Sequence, residues 1–594
     1  MHQMTSLLLH GALVVSAHPR IPECRESYST QGWPSKSTWQ ALNSSLSGKL
    51  LAPLPPAIVC DSARPEYDEP ACKSLGKVWP ITTFMNDDPL LLHQSNWQND
   101  TCIPPTLFNG TNTCDPKPFA KCVVNASTAE HVVDAVRFAN KHNLHISVKN
   151  TGHDYLGRST FPQGFQIWTH HLKGIQVHSD FRGKGPAITV GSGNVYGEIY
   201  NETAKHKVLS VGGAYASVGV GGHFTGGGHS PLGALYGLAV DNALEMTVVT
   251  PSGELVTANE DEHADLFWAM RGAGSSTFGI LINVTEKVYP DEHPAVSFTL
   301  AFNSTQDEAE KNNNTNFYNL LADVHEQLIS WSDNNINGYH AWGPASQIAQ
   351  IMTGVSPSSS SSGPIPMGFL FNGWSLNQTL QQTNTTFAKF QSLLNSTTGV
   401  KGTLQLQSVP SANALLNKDL SGPAGMNGHI ASWMWDKPAM LNRTGLLSLF
   451  RAVEPNGVRG IITSGPAVRD FLHPNSVSVT PAWRRTYQHT AAGIGWEHGN
   501  STAAKEARKR TDEIRTLLRD HAPSMGACIN EADAEEPEYG KAFFGEENFK
   551  RLLKLKREWD PKGVFWCKPC VGYEDWEFDE GSGQLCRVRN EGVW

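Results

Sequence analysis

A strand-helix-strand pattern at residues 122–148 ends in a polar loop, and it constrains the fold more than any other part of the chain. Cys122-Val123-Val124 and His145-Ile146-Ser147-Val148 have the composition of β-strands. Between them, residues 127–130 have the form of a capping box, and apolar residues follow at helical spacing over residues 132–139. The second strand therefore leads directly into the loop Asn150-Thr151-Gly152-His153.

This loop and a glycine-dense segment, residues 219–228, are suited to hold a phosphate-bearing group. A flexible loop at a strand end lets several backbone N–H groups face an anion, and Gly152 and Gly157 permit its close approach. Glycine runs are more often flexible loops than ligand sites, and this one taken alone fits either interpretation equally well. The spacing differs from Gly-x-Gly-x-x-Gly because Phe224 stands at the third glycine, and it fits no Walker A loop. A nicotinamide-binding Rossmann domain is therefore disfavoured.

Strands and helices alternate around these glycines. We expect strands at residues 165–168, 188–191, 208–211, 243–249 and 279–284, and helices at residues 195–206 and 262–271. From about residue 296 the residue pattern changes to apolar stretches and helix-like runs, which indicates a second domain. We expect this domain to end with a helix at residues 503–518. A chain of 594 residues is long enough for such a division.

Three features together indicate a secreted protein. Residues 7–15 form an apolar run, too short to span a bilayer, which ends at the small residues Val15-Ser16-Ala17 and so suits signal peptidase. The ten cysteines, six of them in residues 24–122, favour a disulfide-linked chain. Thirteen Asn-x-Ser/Thr sequons add potential glycosylation sites.

The charge balance disfavours a nucleic acid or an anionic membrane surface as a partner. The chain has 47 Lys and Arg against 56 Asp and Glu, a net charge of -9, and no run of like charges. We therefore expect a small-molecule substrate. We also expect the protein to be a monomer. Cys567-x-x-Cys570 lacks the second ligand pair that zinc requires, so we expect no metal site and disulfide partners elsewhere in the chain for these cysteines. No Gly-x-Ser-x-Gly elbow of a serine hydrolase is present.

Six motifs spread along the chain carry a resemblance to a known family. They are Asn150-Thr151-Gly152-His153-Asp154-Tyr155-Leu156-Gly157, Val218-Gly219-Val220-Gly221-Gly222-His223 with Gly228-His229-Ser230, Tyr236-Gly237-Leu238-Ala239-Val240-Asp241-Asn242, Asp265-Leu266-Phe267-Trp268-Ala269-Met270-Arg271-Gly272, Asn530-Glu531-Ala532-Asp533 and Trp559-Asp560-Pro561. In their content and order they resemble the FAD-linked oxidoreductases of the vanillyl-alcohol-oxidase and p-cresol-methylhydroxylase superfamily, in its fungal, berberine-bridge-enzyme-like branch.

The resemblance implies an α+β fold. A two-subdomain FAD-binding domain of the p-cresol-methylhydroxylase type would join a substrate domain with an antiparallel sheet and flanking helices. The expected divisions are a signal peptide at residues 1–17, a disulfide-rich N-terminal segment at 18–117, the FAD-binding domain at 118–295, the substrate domain at 296–520 and a C-terminal return segment to the FAD domain at 521–594.

The resemblance also implies that His153 forms a single covalent link to the methyl carbon on the benzenoid ring of FAD. The alternative is a loop histidine that only hydrogen-bonds. Many relatives have a cysteine as a second tether where this chain has Tyr215, which could stack or hydrogen-bond beside the flavin or simply fill space. The other cofactor-binding residues implied are Asn150, Thr151, Gly152, Asp154, Gly213, Tyr215, Ser217, Gly219, Gly222, His223, Gly228, Ile280 and Asn530.

Two positions affect the expected chemistry. Gly213 matches the position that controls the access of dioxygen to the flavin in relatives, and a glycine there favours an oxidase. Cys528 stands where relatives commonly have a tyrosine that assists proton removal, so the catalytic base is open among Tyr487, His489 and Glu531. Alternation in residues 481–489 would place Tyr487 and His489 on one face of a strand, which could equally be a solvated polar face.

The function expected is that of a secreted oxidase. It would move a hydride from an alcohol, a sugar or a secondary metabolite to covalently bound FAD, and then electrons to dioxygen, which gives hydrogen peroxide. One alternative is an FAD-dependent dehydrogenase or an oxidative cyclase of secondary metabolism. A second is a non-catalytic, flavin-binding glycoprotein that has lost its base.

Overall fold

The computed structural model describes residues 24–107, 113–274, 276–353, 364–416, 424–454, 456–579 and 583–588. The expected signal peptide at residues 1–17 lies outside this part of the chain. No helix within the described ranges is both long enough and apolar enough to cross a membrane. The same ranges hold no group of three or more His, Cys, Asp or Glu side chains arranged to bind a metal ion.

The first sheet carries the strand-helix-strand unit. Its strands are β1 (Leu50–Leu51), β2 (Cys122–Asn125), β3 (Ile146–Lys149) and β4 (Phe165–Trp168) in the order β1-β2-β4-β3. The helices before and within it are α1 (Lys36–Ser45), α2 (Glu69–Val78), α3 (Thr82–Asp87) and α4 (Ala129–Lys141). The predicted unit is confirmed, but its cap is Thr128, which accepts a hydrogen bond from the N–H of His131, and not Ser127. Buried apolar residues of α4 pack on β2 and β4, which fixes the direction of the loop after β3.

The second sheet supports the glycine-dense segment. It contains β5 (Ile175–His178), β6 (Ala187–Gly191), β7 (Val208–Ser210), β8 (Ala243–Val249), β9 (Leu255–Ala258) and β10 (Ile280–Pro290). The order is β5-β6-β10-β8-β9, and β7 pairs with the far end of β10. Its helices are α5 (Tyr196–Lys205), α6 (Val220–Thr225), α7 (Gly233–Tyr236) and α8 (Ala264–Met270). The predicted strands and helices are confirmed, whereas β5, β9 and the short helix α6 inside the glycine segment were not predicted.

The third sheet is antiparallel throughout and has the order β14-β11-β13-β12-β16-β17-β15. Its strands are β11 (Ala295–Ser304), β12 (Ile336–Pro344), β13 (Met367–Leu376), β14 (Val400–Val409), β15 (Asn427–Trp435), β16 (Val458–Ile462) and β17 (Gln488–Trp496). The accompanying helices are α9 (Gln306–Asn312), α10 (Thr315–Asp333), α11 (Ala345–Thr353), α12 (Leu380–Ser396), α13 (Ala412–Leu416), α14 (Lys437–Leu441), α15 (Arg443–Val453), α16 (Pro466–Arg469) and α17 (Ser501–His521). The predicted helix at residues 503–518 is confirmed within α17.

One face of the third sheet packs on helices and the other faces a cavity. On β12, the ring of Trp342 packs 5.2 Å from that of Phe450 in α15, whereas Tyr339 lines the cavity. The predicted strand over residues 481–489 is wrong before Gln488. Residues Pro481–Arg485 form a 3-10 helix that begins with a proline, which supplies no N–H for strand pairing.

The C-terminal segment returns to the first sheet. Its elements are α18 (Tyr539–Phe544), α19 (Glu546–Trp559), β18 (Trp576–Asp579) and β19 (Gln584–Arg587). Phe565 forms a parallel bridge with Ile146 of β3. The disulfides are Cys24–Cys586, Cys60–Cys72, Cys102–Cys114 and Cys567–Cys570, and Cys122 and Cys528 are free. The expectation that Cys567 and Cys570 pair elsewhere is wrong, because the turn between them brings the two together.

Candidate active site

A cavity of about 1690 Å³ is lined by the loop after β3, the glycine segment, the start of β10 and the open face of the third sheet. The C-terminal segment closes it with Asn530 and Glu531. This volume exceeds the roughly 300–1,000 Å³ of ordinary small-molecule pockets. There is therefore room for a large cofactor and a substrate side by side.

The loop after β3 is shaped by two glycines and one ion pair. Gly152 and Gly157 have φ of +80° and +79°, and a Cβ at Gly157 would lie 2.5 Å from the ring of Trp97. Asp154 accepts hydrogen bonds from the backbone N–H of Arg158 at 2.6 Å and from its Nε at 2.9 Å. Arg158 Nη2 also donates to Asn530 Oδ1 at 2.9 Å, which ties the loop to the C-terminal segment.

His153 is held on two sides by its neighbours. Its Nε2 lies 2.9 Å from Ser217 Oγ, and its ring stacks on that of His93 with centroids 3.6 Å apart. His93 Nε2 in turn lies 2.9 Å from Asn86 Oδ1. Burial, together with the charge of Lys149, lowers the pKa of His153 to about 4. The imidazole is therefore neutral near pH 7, the form in which a ring nitrogen is nucleophilic.

The glycine segment presses against Asn150 on one side and leaves space on the other. A Cβ at Gly219 would lie 2.7 Å from Asn150 Oδ1, whereas a Cβ at Gly222 would have no atom within 4 Å. Asn150 Nδ2 donates to Ser192 O at 2.6 Å, and Asn530 Nδ2 donates to Gly222 O at 3.1 Å. These contacts fix the backbone of the segment as one wall of the cavity.

Gly213 lies beside a chain of hydrogen bonds that leads to His229. Tyr196 OH lies 2.6 Å from His223 Nδ1, and His223 Nε2 lies 3.0 Å from His229 O. Burial lowers the pKa of His223 to about 3, so the neutral ring accepts from the phenol and donates to the carbonyl. A Cβ at Gly213 would lie 3.2 Å from His223 Nε2 and 3.3 Å from the Tyr196 ring. An added methyl group would therefore crowd this network.

Glu531 faces the cavity between two histidines. Its Oε2 lies 3.2 Å from His229 Nε2 and 3.2 Å from His489 Nδ1. Burial by itself raises the pKa of Glu531, but the two histidines outweigh it and hold that pKa well below its usual range. Burial likewise opposes the charge of His229, and Glu531 outweighs it so that the pKa of His229 is raised. A carboxylate beside a protonated histidine is the stable form of this cluster.

Aromatic side chains also line the cavity. The ring of Tyr339 lies 6.5 Å from that of Tyr215 and 5.8 Å from that of Trp374. Burial raises the pKa values of Tyr155, Tyr215 and Tyr339 above the usual phenol value. These phenols therefore stay neutral near pH 7 and can donate hydrogen bonds into the cavity.

Comparison with known proteins identifies the cofactor for which this cavity is built. Residues 120–259 match the model of an FAD binding domain, and residues 527–572 match that described as berberine and berberine like. An uncharacterized FAD-linked oxidoreductase of Arthroderma benhamiae is 32% identical, and the match covers 96% of this chain and 97% of that one. The chain is an FAD-linked oxidoreductase of the VAO and berberine-like family.

Two further relatives of this oxidoreductase support the same assignment. The VAO-type flavoprotein oxidase VAO615 of Thermothelomyces thermophilus is 30% identical over 98% of this chain and 99% of its own. The crystal structure of the VAO-type flavoprotein MtVAO713 from Myceliophthora thermophila C1 superposes with a TM-score of 0.86, at 27% identity, over 96% of this chain and all of that one. The predicted family and the α+β fold class are thus confirmed.

The polar atoms of the oxidoreductase cavity fit FAD. Asn150 Oδ1, Arg158 Nη1 and Ser192 Oγ are buried, belong to residues that line the cavity, and have no hydrogen-bond partner within the described chain. Unpaired buried groups of this kind are costly without a ligand. The open side of Gly222 supplies the close backbone approach that a dinucleotide needs.

Most of the predicted cofactor-binding residues come together in this cavity. Its lining includes Asn150, Thr151, Gly152, His153, Asp154, Gly213, Tyr215, Gly219, Gly222, His223, Ile280 and Asn530. Ser217 lies behind His153 as its hydrogen-bond partner. Gly228 has φ of +72° and lies against the ring of His223, so it supports that ring without lining the cavity.

The three candidate bases lie in different environments. Glu531 lines the cavity, and His489 is fully buried behind it. Tyr487 precedes β17 and packs under Arg469, whose guanidinium carbon lies 3.9 Å from its ring centroid. It is not among the residues that line the cavity. Burial and Glu531 raise the pKa of Cys528 to about 12, so this thiol stays protonated.

Sequence reasoning missed several residues of the site. No role was predicted for His229 of the Gly228-His229-Ser230 motif, although a histidine among small residues is a signal for a site. Likewise, no role was predicted for Tyr155, which belongs to the motif at residues 150–157. Tyr339, Trp374 and Arg459 belong to the third sheet, where only the strand register shows which side chains face the cavity.

Proposed function

We propose that this protein is a secreted oxidase that acts as a monomer on a small organic molecule. Its substrate would carry a C–H bond next to a hydroxyl, an amine or an activated ring. The observation that carries the proposal is the Glu531 carboxylate, which lines the cavity and has His229 and His489 within 3.2 Å. Bound FAD would supply the two-electron chemistry of an oxidase, with hydride acceptance from the substrate and electron transfer to dioxygen that releases hydrogen peroxide.

His153 is the proposed covalent anchor. Its Nε2 is engaged with Ser217 Oγ at 2.9 Å, which leaves Nδ1 as the nitrogen for the bond. The stack on His93 restricts rotation of the ring, and the lowered pKa keeps the ring neutral. Tyr215 occupies the place of the second tether of many relatives, so a single bond is proposed. Its phenol faces the same cavity and can donate a hydrogen bond there.

Glu531 is the proposed proton acceptor. As a carboxylate it can take the proton that leaves the hydroxyl or amine of the substrate when the C–H bond is oxidised. His229 and His489 are positioning residues, since each contacts Glu531 and neither needs to touch the substrate. The carboxylate of Glu531 would therefore do the work of the phenol that is missing at Cys528 in the same segment. Tyr487 is left out because it packs on Arg469 and not in the cavity.

Gly213 supports the use of dioxygen as the electron acceptor. The space beside it is bounded by His223 and Tyr196 and is not filled by a side chain of its own. The similarity to a flavoprotein oxidase of Thermothelomyces thermophilus, 30% identical over 98% of this chain, points the same way. A dehydrogenase or an oxidative cyclase of secondary metabolism would differ in the acceptor or the fate of the product, and not in the groups that anchor FAD.

Secretion is supported by the disulfides and the sequons. Four disulfides are formed, one of which joins Cys24 to Cys586, and such bonds persist in an oxidising compartment. Exposed sequon asparagines are Asn99, Asn201, Asn303, Asn313, Asn377, Asn384, Asn395, Asn442 and Asn500. A covalent anchor also suits a protein diluted outside the cell, because free FAD there is too scarce to refill a weak site.

The test is anaerobic bleaching of the flavin by a panel of alcohols, sugars, amines and polyketide- or alkaloid-like compounds. We expect at least one compound to bleach the flavin, and air to restore the colour with about one peroxide per flavin. If the colour returns slowly in air but the reduced flavin passes its electrons rapidly to an artificial acceptor, the protein is a dehydrogenase. Failure of every compound, together with a flavin that is photoreduced but not reoxidised in air, would contradict the proposal and favour the non-catalytic glycoprotein.

A further inference from the structure

Arg459 is a charged residue of the cavity whose charge has no partner among the residues that the structure describes. It lies in β16, its side chain is exposed, and it lines the cavity. It forms no hydrogen bond and no ion pair with any residue that the structure describes. The other lining arginine, Arg158, is paired with Asp154, and the lining carboxylate Glu531 is paired with His229. A cation that faces a partly enclosed cavity unpaired is suited to bind an anion.

The strand register explains why the guanidinium of Arg459 is open. Arg459 is directly opposite Ala341 of β12 and Ala491 of β17, and both alanines line the same cavity. Side chains opposite each other in antiparallel strands share a face of the sheet. Two methyl groups cannot cover a guanidinium, so its planar edge stays free in the cavity.

The same register places Arg459 next to the proposed proton acceptor. Two residues further along β16, Ile461 is opposite His489 of β17. His489 is therefore a diagonal neighbour of Arg459, about 7–8 Å away between Cα atoms. His489 Nδ1 lies 3.2 Å from Glu531 Oε2. A small molecule held at Arg459 would thus extend towards Glu531.

We propose that Arg459 binds a carboxylate of the substrate and so selects organic acids, with the reacting C–H bond directed towards Glu531. A guanidinium and a carboxylate are planar and match through two parallel N–H to O hydrogen bonds. The neighbouring phenols of Tyr155 and Tyr215 line the same part of the cavity and add neutral hydrogen-bond donors. This substrate class rests on the oxidase proposed above, because it assigns an orientation to the molecule that Glu531 deprotonates.

The pyrophosphate of FAD is a second source of anionic oxygen. The buried polar atoms of Asn150, Arg158 and Ser192, which have no hydrogen-bond partner among the described residues, belong to the loop after β3 and to the residue that follows β6, and not to β16. If Arg459 instead held the cofactor, its replacement would lower the flavin content of the protein. The flavin content of each variant therefore distinguishes the two sources.

The experiment is calorimetric titration of the flavin-loaded protein with benzoate and with benzamide, its neutral isostere. We expect benzoate to bind at least about tenfold more tightly than benzamide, and Arg459→Gln to weaken benzoate by about 10- to 100-fold. The affinity for benzamide should change by less than about twofold on the same substitution. Arg459→Lys should keep part of the benzoate affinity, because lysine retains the positive charge but lacks the planar pair of N–H donors. The control is Arg137→Gln, an exposed residue of α4 outside the cavity, which should leave both titrations unchanged.

Three results would overturn the proposal. The first is equal affinity for benzoate and benzamide, which includes the case in which neither binds. The second is an equal fall in the affinities for both ligands in Arg459→Gln. The third is a lower flavin content in that variant. The titration requires bound FAD but no turnover. Its outcome is therefore independent of whether any compound bleaches the flavin, which is the test of the oxidase itself.

Discussion

The Oε2 atom of Glu531 lies 3.2 Å from the Nε2 atom of His229, although 302 residues separate them along the chain. The contact joins the residue that follows the glycine segment to the C-terminal segment, and both residues line the cavity. His229 stabilises the negative charge of Glu531, the carboxylate that we propose as the proton acceptor. Burial of both groups makes the pair sensitive to the removal of either partner.

Replacement of Glu531 with Gln should lower kcat by about 10²- to 10⁴-fold, because the amide cannot accept a proton. Flavin content should stay that of the wild type, since Asn530 and not Glu531 contacts Arg158 and Gly222. Steady-state peroxide release with a bleaching substrate measures the effect. Glu535→Gln is the control in the same segment, because Glu535 is exposed and, among the described residues, its carboxylate forms an ion pair with Lys568 at the surface. If kcat falls by less than about threefold in Glu531→Gln, Glu531 is not the base.

The Glu531–His229 pair should stabilise the folded protein most within a defined pH range. Glu531 has a lowered pKa, so its contribution is present above the unfolded value of 4.5 and is lost as the pH falls through the folded value. His229 has a raised pKa, so its contribution is present below the unfolded value of 6.5 and is lost as the pH rises through the folded value. The Tm difference between wild type and His229→Gln should therefore be largest from pH 4.5 to 6.5. A difference that does not vary with pH would rule out the ion pair.

A methyl group at Gly213 should slow the reaction of reduced flavin with dioxygen. Its Cβ would lie 3.2 Å from His223 Nε2 and so narrow the space beside the proposed flavin site. We expect Gly213→Ala to slow reoxidation of the photoreduced protein by about tenfold or more in stopped flow. Gly493→Ala on β17 is the matched control, since a Cβ there meets no atom within 4 Å and Gly493 lies outside the cavity lining. Equal reoxidation rates in the two variants would remove Gly213 from the oxygen path.

The disulfide between Cys24 and Cys586 should stabilise the fold more than a local one. It closes a loop with a sequence separation of 562, against 12 for Cys60–Cys72. In the loop-entropy model a longer loop constrains the unfolded chain more. Replacing Cys24 and Cys586 with Ser should lower the free energy of unfolding by about 2–5 kcal/mol in denaturant titrations. A smaller loss than in the corresponding Cys60 and Cys72 variant would contradict this ordering.

Local sequence patterns were sufficient for the elements around the cofactor loop. The unit β2-α4-β3 and the loop at His153 follow from periodicity over a few residues. The pairing of His229 with Glu531 could not be read in this way, because it depends on how distant segments pack. Tyr487 was assigned to a strand because polar residues alternate there, but Pro481 begins a 3-10 helix instead. Arg459 was missed because its role depends on the alanines opposite it, which only the sheet register reveals.

We propose that His153 carries FAD through a single covalent bond. The most direct measurement is acid precipitation of the purified protein followed by mass spectrometry of its proteolytic peptides. We expect a yellow precipitate, FAD mass on the peptide with His153 and none on the peptide with Tyr215. From His153→Ala, acid should release all flavin to the supernatant. Flavin released from the wild-type protein by acid, or FAD mass on any other residue, would contradict it.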